Sequence, residues 1–271
     1  MKGSAMLAVQ ACALALAVLL ATPGVAQERA LSQDGQNFIM QRMTRQNIQA
    51  FDRQAHRPMS HARVCSAAAE EGHASCHAHV VHDETGRPFA TTGPSGYSPT
   101  DLRSAYSITG TGQSSTIIAI VDANGYPNAE SDLATYRKQF GLPACTTANG
   151  CFKKVNQNGV QGNYPRTDTG WSQETALDLD MASAMCPNCS ILLVEANNAS
   201  LANLGAAVNR AAAMGAHVIS NSYGGGEAGT QNTEQLYNYA GIAVTASSGD
   251  DGFGVEFPAS SPHVTAVGGT S

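Results

Sequence analysis

TDTGWSQETALDLDMASAMCP, residues 167–187, reads as one helix, and SILLVE, residues 190–195, reads as the buried strand that follows it. A helix handed straight to an apolar strand is the repeating unit of a parallel sheet covered on both faces. At 100° per residue, Leu177, Met181, Ala184 and Met185 share one apolar arc. Measured from Glu174, Asp178 lies at about 40°, inside that arc and one turn away, whereas Asp180 falls about 120° round and is free to stay in water. Burying an ionised carboxylate is costly unless it is paired, and a second carboxylate beside it raises a pKa. No Lys or Arg lies between Arg166 and Arg210 to pair with them locally, so Glu174 and Asp178 are read as two acids sharing a proton.

The same alternation extends both ways from this helix. TIIAIVD (116–122) is an apolar strand ending in an acid; residues 128–140 form a helix with Leu133, Tyr136 and Phe140 on one face and Gly141 as its stop. A short strand follows the loop between Cys145 and Cys151. After the central helix and SILLVE come a helix at 201–214, the strand HVISNS (217–222), a short helix near 234–239, the strand IAVTAS (242–247) and a last strand at 264–268. The expected fold is α/β, a doubly wound parallel sheet, and ligands in such sheets sit at the carboxyl ends of the strands. Those ends deliver Asp122, SYGGGEAG (222–229) and SSGDDG (247–252). Gly224, Gly226 and Gly229 have the spacing of a dinucleotide fingerprint, but that motif normally opens the first unit of a sheet, not a late one.

The N-terminal part differs in kind. Residues 1–26 read as a signal peptide: Lys2, an apolar run from Met6 to Ala21, and Gly24-Val25-Ala26 as a small-residue cleavage site. The protein is therefore expected to be secreted, extracellular or periplasmic, with no membrane attachment once the signal is removed. Residues 27–96 read as a pro-region or N-terminal extension, rich in His, Ala, Gly, Ser and Thr from Pro58 onward, and the compact domain is placed at 97–271. Formal charge of −6 excludes a nucleic-acid surface as the leading reading, and a monomer is expected.

Removal of the signal leaves six cysteines in three close pairs, Cys65 and Cys76, Cys145 and Cys151, Cys186 and Cys189. Three local disulfides is the simplest pairing for an exported protein. Redox chemistry or a zinc site at Cys186-Pro-Asn-Cys189 stays open, as does a metal site among Cys65, His73, Cys76, His77, His79 and His82.

SPTDLRSAY, IVDANGYPNAESDL, WSQETALDLDMASA, ISNSYGG, ASSGDDGFG and FPASSPHVTAVGGTS together resemble the sedolisin family of serine-carboxyl peptidases, over about residues 98–271. The resemblance implies a subtilisin-like sheet, incomplete at the C-terminus, and hydrolysis of peptide or protein substrates in acid. It implies Glu174 as general base and acid, Asp178 as the residue that orients and tunes it, and Asp250 as the oxyanion donor, with Asp251 its local rival. It also implies that Ser220, Asn221, Ser222, Tyr223 and Gly224 bind an extended peptide at a strand edge. Asp122 stands where subtilisins carry their catalytic Asp, with a turn or hydrogen-bonding role in DANGYP as the other reading.

The family's nucleophilic serine opens a helix in a Gly-Thr-Ser motif well downstream, and its calcium ligands lie further still. Ser271 belongs to a Gly-Thr-Ser, but VTAVGGTS resembles the strand that follows the oxyanion Asp, so calcium is expected with ligands beyond this chain and the chain itself is expected to be inactive. The alternative is a catalytically inactive peptide-binding relative.

Overall fold

The computed structural model describes residues 60–66, 68, 70–83, 85–88 and 96–269; the expected signal peptide and Ser271 lie outside them. Three short strands come first, β1 (Ser60–Arg63), β2 (Ser75–Cys76) and β3 (His79–His82), then helix α1 (Pro99–Ala105). The alternating body follows: β4 (Ile117–Ala123), α2 (Ala129–Gln139), β5 (Phe152–Asn156), α3 (Thr169–Met185), β6 (Ser190–Ala196), α4 (Leu201–Ala213) and β7 (Val218–Asn221). It ends in β8 (Tyr223–Gly224), two 3-10 turns, β9 (Ala243–Ser247) and β10 (Thr265–Val267).

Six strands form one parallel sheet in the order β10-β9-β7-β4-β6-β5. Strand β4 lies inside it: the chain leaves β4 towards β5 and β6 on one side and returns to β7, β9 and β10 on the other. That reversal opens a crevice at the carboxyl end of β4, the expected place for a ligand.

Residue parity assigns the two faces. Ile120, Ile191 and Leu193 pack with Leu133 of α2 and Leu179 of α3. Ala119, Val121, Leu192 and Val194 pack with Leu204, Ala207, Val208 and Ala211 of α4 on the other side. Asp122, two residues after Ile120, must therefore face the α3 side.

Helix α3 begins where the Asp168 side chain accepts the Trp171 N–H, a conventional N-cap. Its far end is stapled to α2 by Arg137, which is 1% exposed and donates to the Pro143 and Pro187 carbonyls, each at 2.5 Å, and to Ser183 Oγ at 2.9 Å. The helix is rotated relative to the expected arc. Leu177 is 42% exposed, and the buried residues are Gly170, Trp171, Glu174, Thr175, Leu179, Ser183 and Ala184. The cause is α2, which packs along the flank that a one-sided helix would leave wet. Asp180 is caught on that flank and is only partly exposed; burial, reinforced by Asp132, pushes its pKa up to about 7. The expectation that Asp180 stays in water is corrected accordingly. The short helix expected near 234–239 is realised as 3-10 turns at Thr230–Asn232 and Glu234–Tyr237.

The structure joins Cys65 to Cys76, Cys145 to Cys151 and Cys186 to Cys189. Gly112 lies against the last of these: it has φ +73°, and a Cβ there would fall 2.1 Å from Cys186 Sγ. Non-reducing peptide mapping of the protein should recover all three local cross-links. Free thiols at Cys186 and Cys189 together with bound zinc would overturn that pairing.

Candidate active site

Helix α3 and the carboxyl end of β4 bring three carboxyl groups together. Glu174 is 2% exposed, and its Oε2 accepts the Ala78 N–H at 2.5 Å. Burial, then the charge of Asp178, pushes its pKa up to about 8, although backbone donation from Ala78 and His77 pulls the other way. Burial raises Asp178 to about 7 against the opposing hydrogen bond from Ser222, whose hydroxyl donates to Oδ1 at 2.7 Å. The second oxygen of Asp178 is shut off from solvent without a partner.

Asp122 is fully buried, and neither of its oxygens has a hydrogen-bond partner. The nearby Thr175 hydroxyl is turned instead to the Trp171 carbonyl, at 2.8 Å. Burial first, then the charges of Asp178 and Glu174, holds the Asp122 carboxyl well above the usual range. It makes no turn contact within DANGYP, because strand parity aims it into the sheet's α3 face and away from the loop. Lys154 does not neutralise the cluster: its ammonium is given to Glu195 Oε1 at 2.8 Å and the Tyr126 carbonyl at 2.6 Å. Glu174, Asp178 and Asp122 therefore titrate as a set, and the cluster's charge is limited by burial.

The strand edge expected to bind an extended peptide divides in two. Ser220 and Asn221 belong to β7 inside the sheet: Ser220 is in register with Ile120 and Thr245, and Asn221 donates to the Thr245 carbonyl at 2.8 Å and accepts from the Tyr223 hydroxyl. Their backbones are already paired on both sides or buried, so they present no free edge. Ser222, Tyr223 and Gly224 follow where the chain leaves the sheet, and there β8 pairs antiparallel with β2, Ser75 opposite Gly224 and Cys76 opposite Tyr223. The ladder continues with the His77 N–H donating to the Ser222 carbonyl at 3.2 Å. Tyr223 itself is fully buried, with its ring near Trp171 and its hydroxyl 3.1 Å from that of Tyr237. The glycines of the fingerprint spacing belong to this arrangement. A Cβ on Gly224 would meet Glu256 Oε2 at 2.1 Å, and no α-helix opens after Gly229 to receive a phosphate.

Asp250 lies in the loop after β9. Its Oδ2 is 3.0 Å from His79 Nε2 and 3.9 Å from Arg63 Nε, while Arg63 Nη2 pairs with Asp251 at 2.5 Å. Its charge contributes to the raised pKa of Glu174, which ties it electrically to the cluster. The candidate metal cluster is dispersed: Cys65 and Cys76 are bonded to each other, and His77, His79 and His82 lie against other partners. Among the described residues no group of three or more His, Cys, Asp and Glu is set to hold a metal ion.

The sequence suggests His77 only as a metal ligand and gives no sign of Glu256. The imidazole of His77 lies 2.5 Å from Ser247 Oγ and 2.9 Å from Glu256 Oε2, and its side chain is 8% exposed. Nothing in the local sequence links residues 170 or more apart. The Asp122 position, by contrast, follows from counting along its strand.

Residues 156–271 match the model of the subtilase family. Kumamolisin of Bacillus sp. (strain MN-32) is 30% identical over 201 residues, covering 65% of this chain and 35% of that protein. Among solved structures, the Pseudomonas sedolisin, a serine-carboxyl proteinase complexed with two molecules of pseudo-iodotyrostatin, is similar with a TM-score of 0.55 and 25% identity. The match covers 65% of this chain and 54% of that one. The chain thus spans about a third of the first relative's length and about half of the second's. No helix among the described residues is long and apolar enough to cross a membrane. With a parallel sheet wound in both directions, an acid pair on α3 and these likenesses, the chain is a sedolisin-like protein of the subtilisin-like fold.

Proposed function

We propose that this chain carries the proton-handling groups of a secreted serine-type endopeptidase that cuts peptide bonds in acid. The observation that carries the reading is Glu174: a nearly inaccessible carboxyl, with Asp178 one helical turn away, whose oxygen accepts a peptide N–H at 2.5 Å. A carboxyl that burial holds protonated into the neutral range can exchange a proton with a reacting hydroxyl or amine in acid.

In this reading the nucleophile is a serine hydroxyl. Glu174, in its ionised form, takes its proton as the oxygen adds to the substrate carbonyl and passes it to the departing nitrogen. Asp178 tunes Glu174 by its charge, and Ser222 in turn steadies Asp178. Asp250, once protonated and turned from His79 and Arg63, donates to the oxyanion. Calcium, which the family resemblance implies, enters none of these steps. The disulfides and the signal-like leader support export.

The test is hydrolysis of a peptide library at acidic pH by the complete product of the gene. Asp250→Ala should lower kcat by about 10² to 10³ while KM stays nearly unchanged, since an oxyanion donor acts in the transition state. Loss confined to KM would make Asp250 a binding residue. Absence of hydrolysis by the intact wild-type product would leave the inactive peptide-binding relative as the better reading.

A further inference from the structure

Strands β1 and β3 carry a pair of histidines that the peptidase reading leaves unused. Their antiparallel register sets His61 opposite Val81 and Arg63 opposite His79. Directly opposed residues point to the same side of a ladder, so His61 and His79 share one face as diagonal neighbours, a separation that aromatic rings span. The two rings meet there: their centroids are 4.8 Å apart, and Nδ1 of His61 lies 2.7 Å from Nδ1 of His79. Both residues are exposed, so solutes reach the nitrogens.

The far nitrogen of His79 is engaged as well. Its Nε2 lies 3.0 Å from Asp250 Oδ2, and a carboxylate at that distance holds the ring proton on Nε2 and leaves the lone pair on Nδ1, directed at His61. A carboxylate behind the far nitrogen is the arrangement that orients a metal-binding imidazole and strengthens it as a donor.

The separation of the two Nδ1 atoms selects the ion. Nitrogens about 2.0 Å from one metal lie about 2.8 Å apart at adjacent corners of a square and about 3.3 Å apart in a tetrahedron. The observed 2.7 Å fits the square, the geometry of copper(II) and nickel(II), and copper(II) stands highest in the affinity order of the divalent first-row metals. Two imidazoles are half the ligand set of a structural zinc site, so water completes the coordination on the exposed side. The charges agree: Asp250 and Asp251 stand beside the pair, against the single guanidinium of Arg63, which is given to Asp251 at 2.5 Å. The chelate is also preorganised. The ladder of β1 with β3 and the Cys65–Cys76 disulfide already order the 18-residue interval between the two histidines, so little chain entropy is lost when the ion arrives.

We propose that His61 and His79 form a binding site for a square-planar divalent metal ion, copper(II) before nickel(II), with Asp250 as the positioning residue behind His79. Bound there, the ion ties β1 to β3 and, through Asp250, to the loop after β9. The site uses neither Glu174 nor a nucleophile, and it stands whether or not the peptidase reading does.

The test is to titrate copper(II) chloride into the full chain, oxidised and freed of metal by a chelator, and to follow binding by calorimetry and by the electron paramagnetic resonance of the ion. One ion per chain should bind with the nitrogen hyperfine pattern of two imidazoles, and nickel(II) should bind more weakly. His61→Ala and His79→Ala should each weaken binding at least about tenfold, and Asp250→Asn, which removes only the orienting carboxylate, by about 10- to 100-fold. His82→Ala, whose ring lies against the Asp83 carbonyl, should leave the affinity unchanged. Backbone hydrogen exchange in 60–63 and 79–82 should slow when copper is added, which locates the ion on the chain. Unchanged copper affinity in both His61→Ala and His79→Ala, with both variants folded by circular dichroism, overturns the proposal. So does protection confined to other segments, or failure of the wild-type chain to bind copper. Unchanged affinity in Asp250→Asn alone overturns the role given to Asp250.

Discussion

Glu174→Gln should remove about 10² to 10⁴ of the turnover of the complete gene product on an external peptide, the usual cost of losing a general base. Glutamine has the same shape, and its carbonyl oxygen can accept the Ala78 N–H as Oε2 does now, so the fold around α3 keeps its contacts. What it cannot do is exchange a proton. Asp180→Asn is the control, because that carboxyl sits on the α2 flank, near Asp132, and belongs to no part of the cleft. It should change turnover by no more than a few-fold. Asp178→Asn should both reduce turnover and displace the pH profile to lower pH, since the charge of Asp178 is the second cause of the raised Glu174 pKa. A displaced profile is something a merely structural defect would not produce. If Glu174→Gln kept activity while Asp122→Asn abolished it, with an optimum near neutrality, the site would follow the ordinary subtilisin pattern and the assignment would fall.

What the sequence discloses about this site is set by the range over which its regularities hold. Periodicity is local, and it places every strand of the sheet and the helix that carries Glu174 and Asp178. It does not say which neighbour will cover a helix flank. The arc drawn through Leu177 and Met185 assumes one buried face, whereas packing on both the sheet and α2 turns Leu177 outward and draws Asp180 in. Strand parity says more about Asp122 than the turn residues of DANGYP do: Asp122 follows Ile120 by two residues, and a residue sharing the face of a core isoleucine is aimed at α3. The strand edge outside the sheet begins two residues later than Ser220 for a related reason. HVISNS reads as one strand, but only its first part pairs within the sheet, and from Ser222 onward the chain pairs with the β2 segment instead. The engagement of Glu174 by Ala78, 96 residues earlier in the chain, and of His77 by Glu256, 179 residues later, leaves no trace in local pattern at all.

The stability of the folded chain should fall as pH rises from about 4 to about 8, and the buried carboxyl cluster should account for the slope. In an unfolded chain these groups titrate near their ordinary values of about 4. In the folded chain Glu174 is raised to about 8, Asp178 to about 7 and Asp122 well above its ordinary value, in each case chiefly by burial. The folded state therefore binds more protons than the unfolded state throughout that window, and stability declines wherever this holds. Below about pH 4 both states are protonated and the cluster costs nothing on this account; above the folded values the penalty is complete. A tenfold change in the proton affinity of one group is worth about 1.4 kcal/mol, but the three groups share one buried site and do not titrate independently, so the cluster as a whole is worth on the order of a few kcal/mol. Asp122→Asn is the sharpest probe, because neither Asp122 oxygen has a hydrogen-bond partner to lose. The variant should gain on wild type at pH 8 relative to pH 4, read from urea midpoints at the two pH values with the slope of the transition unchanged. Parallel pH dependence in wild type and variant would show that Asp122 is ionised in the folded state and that burial does not govern the cluster.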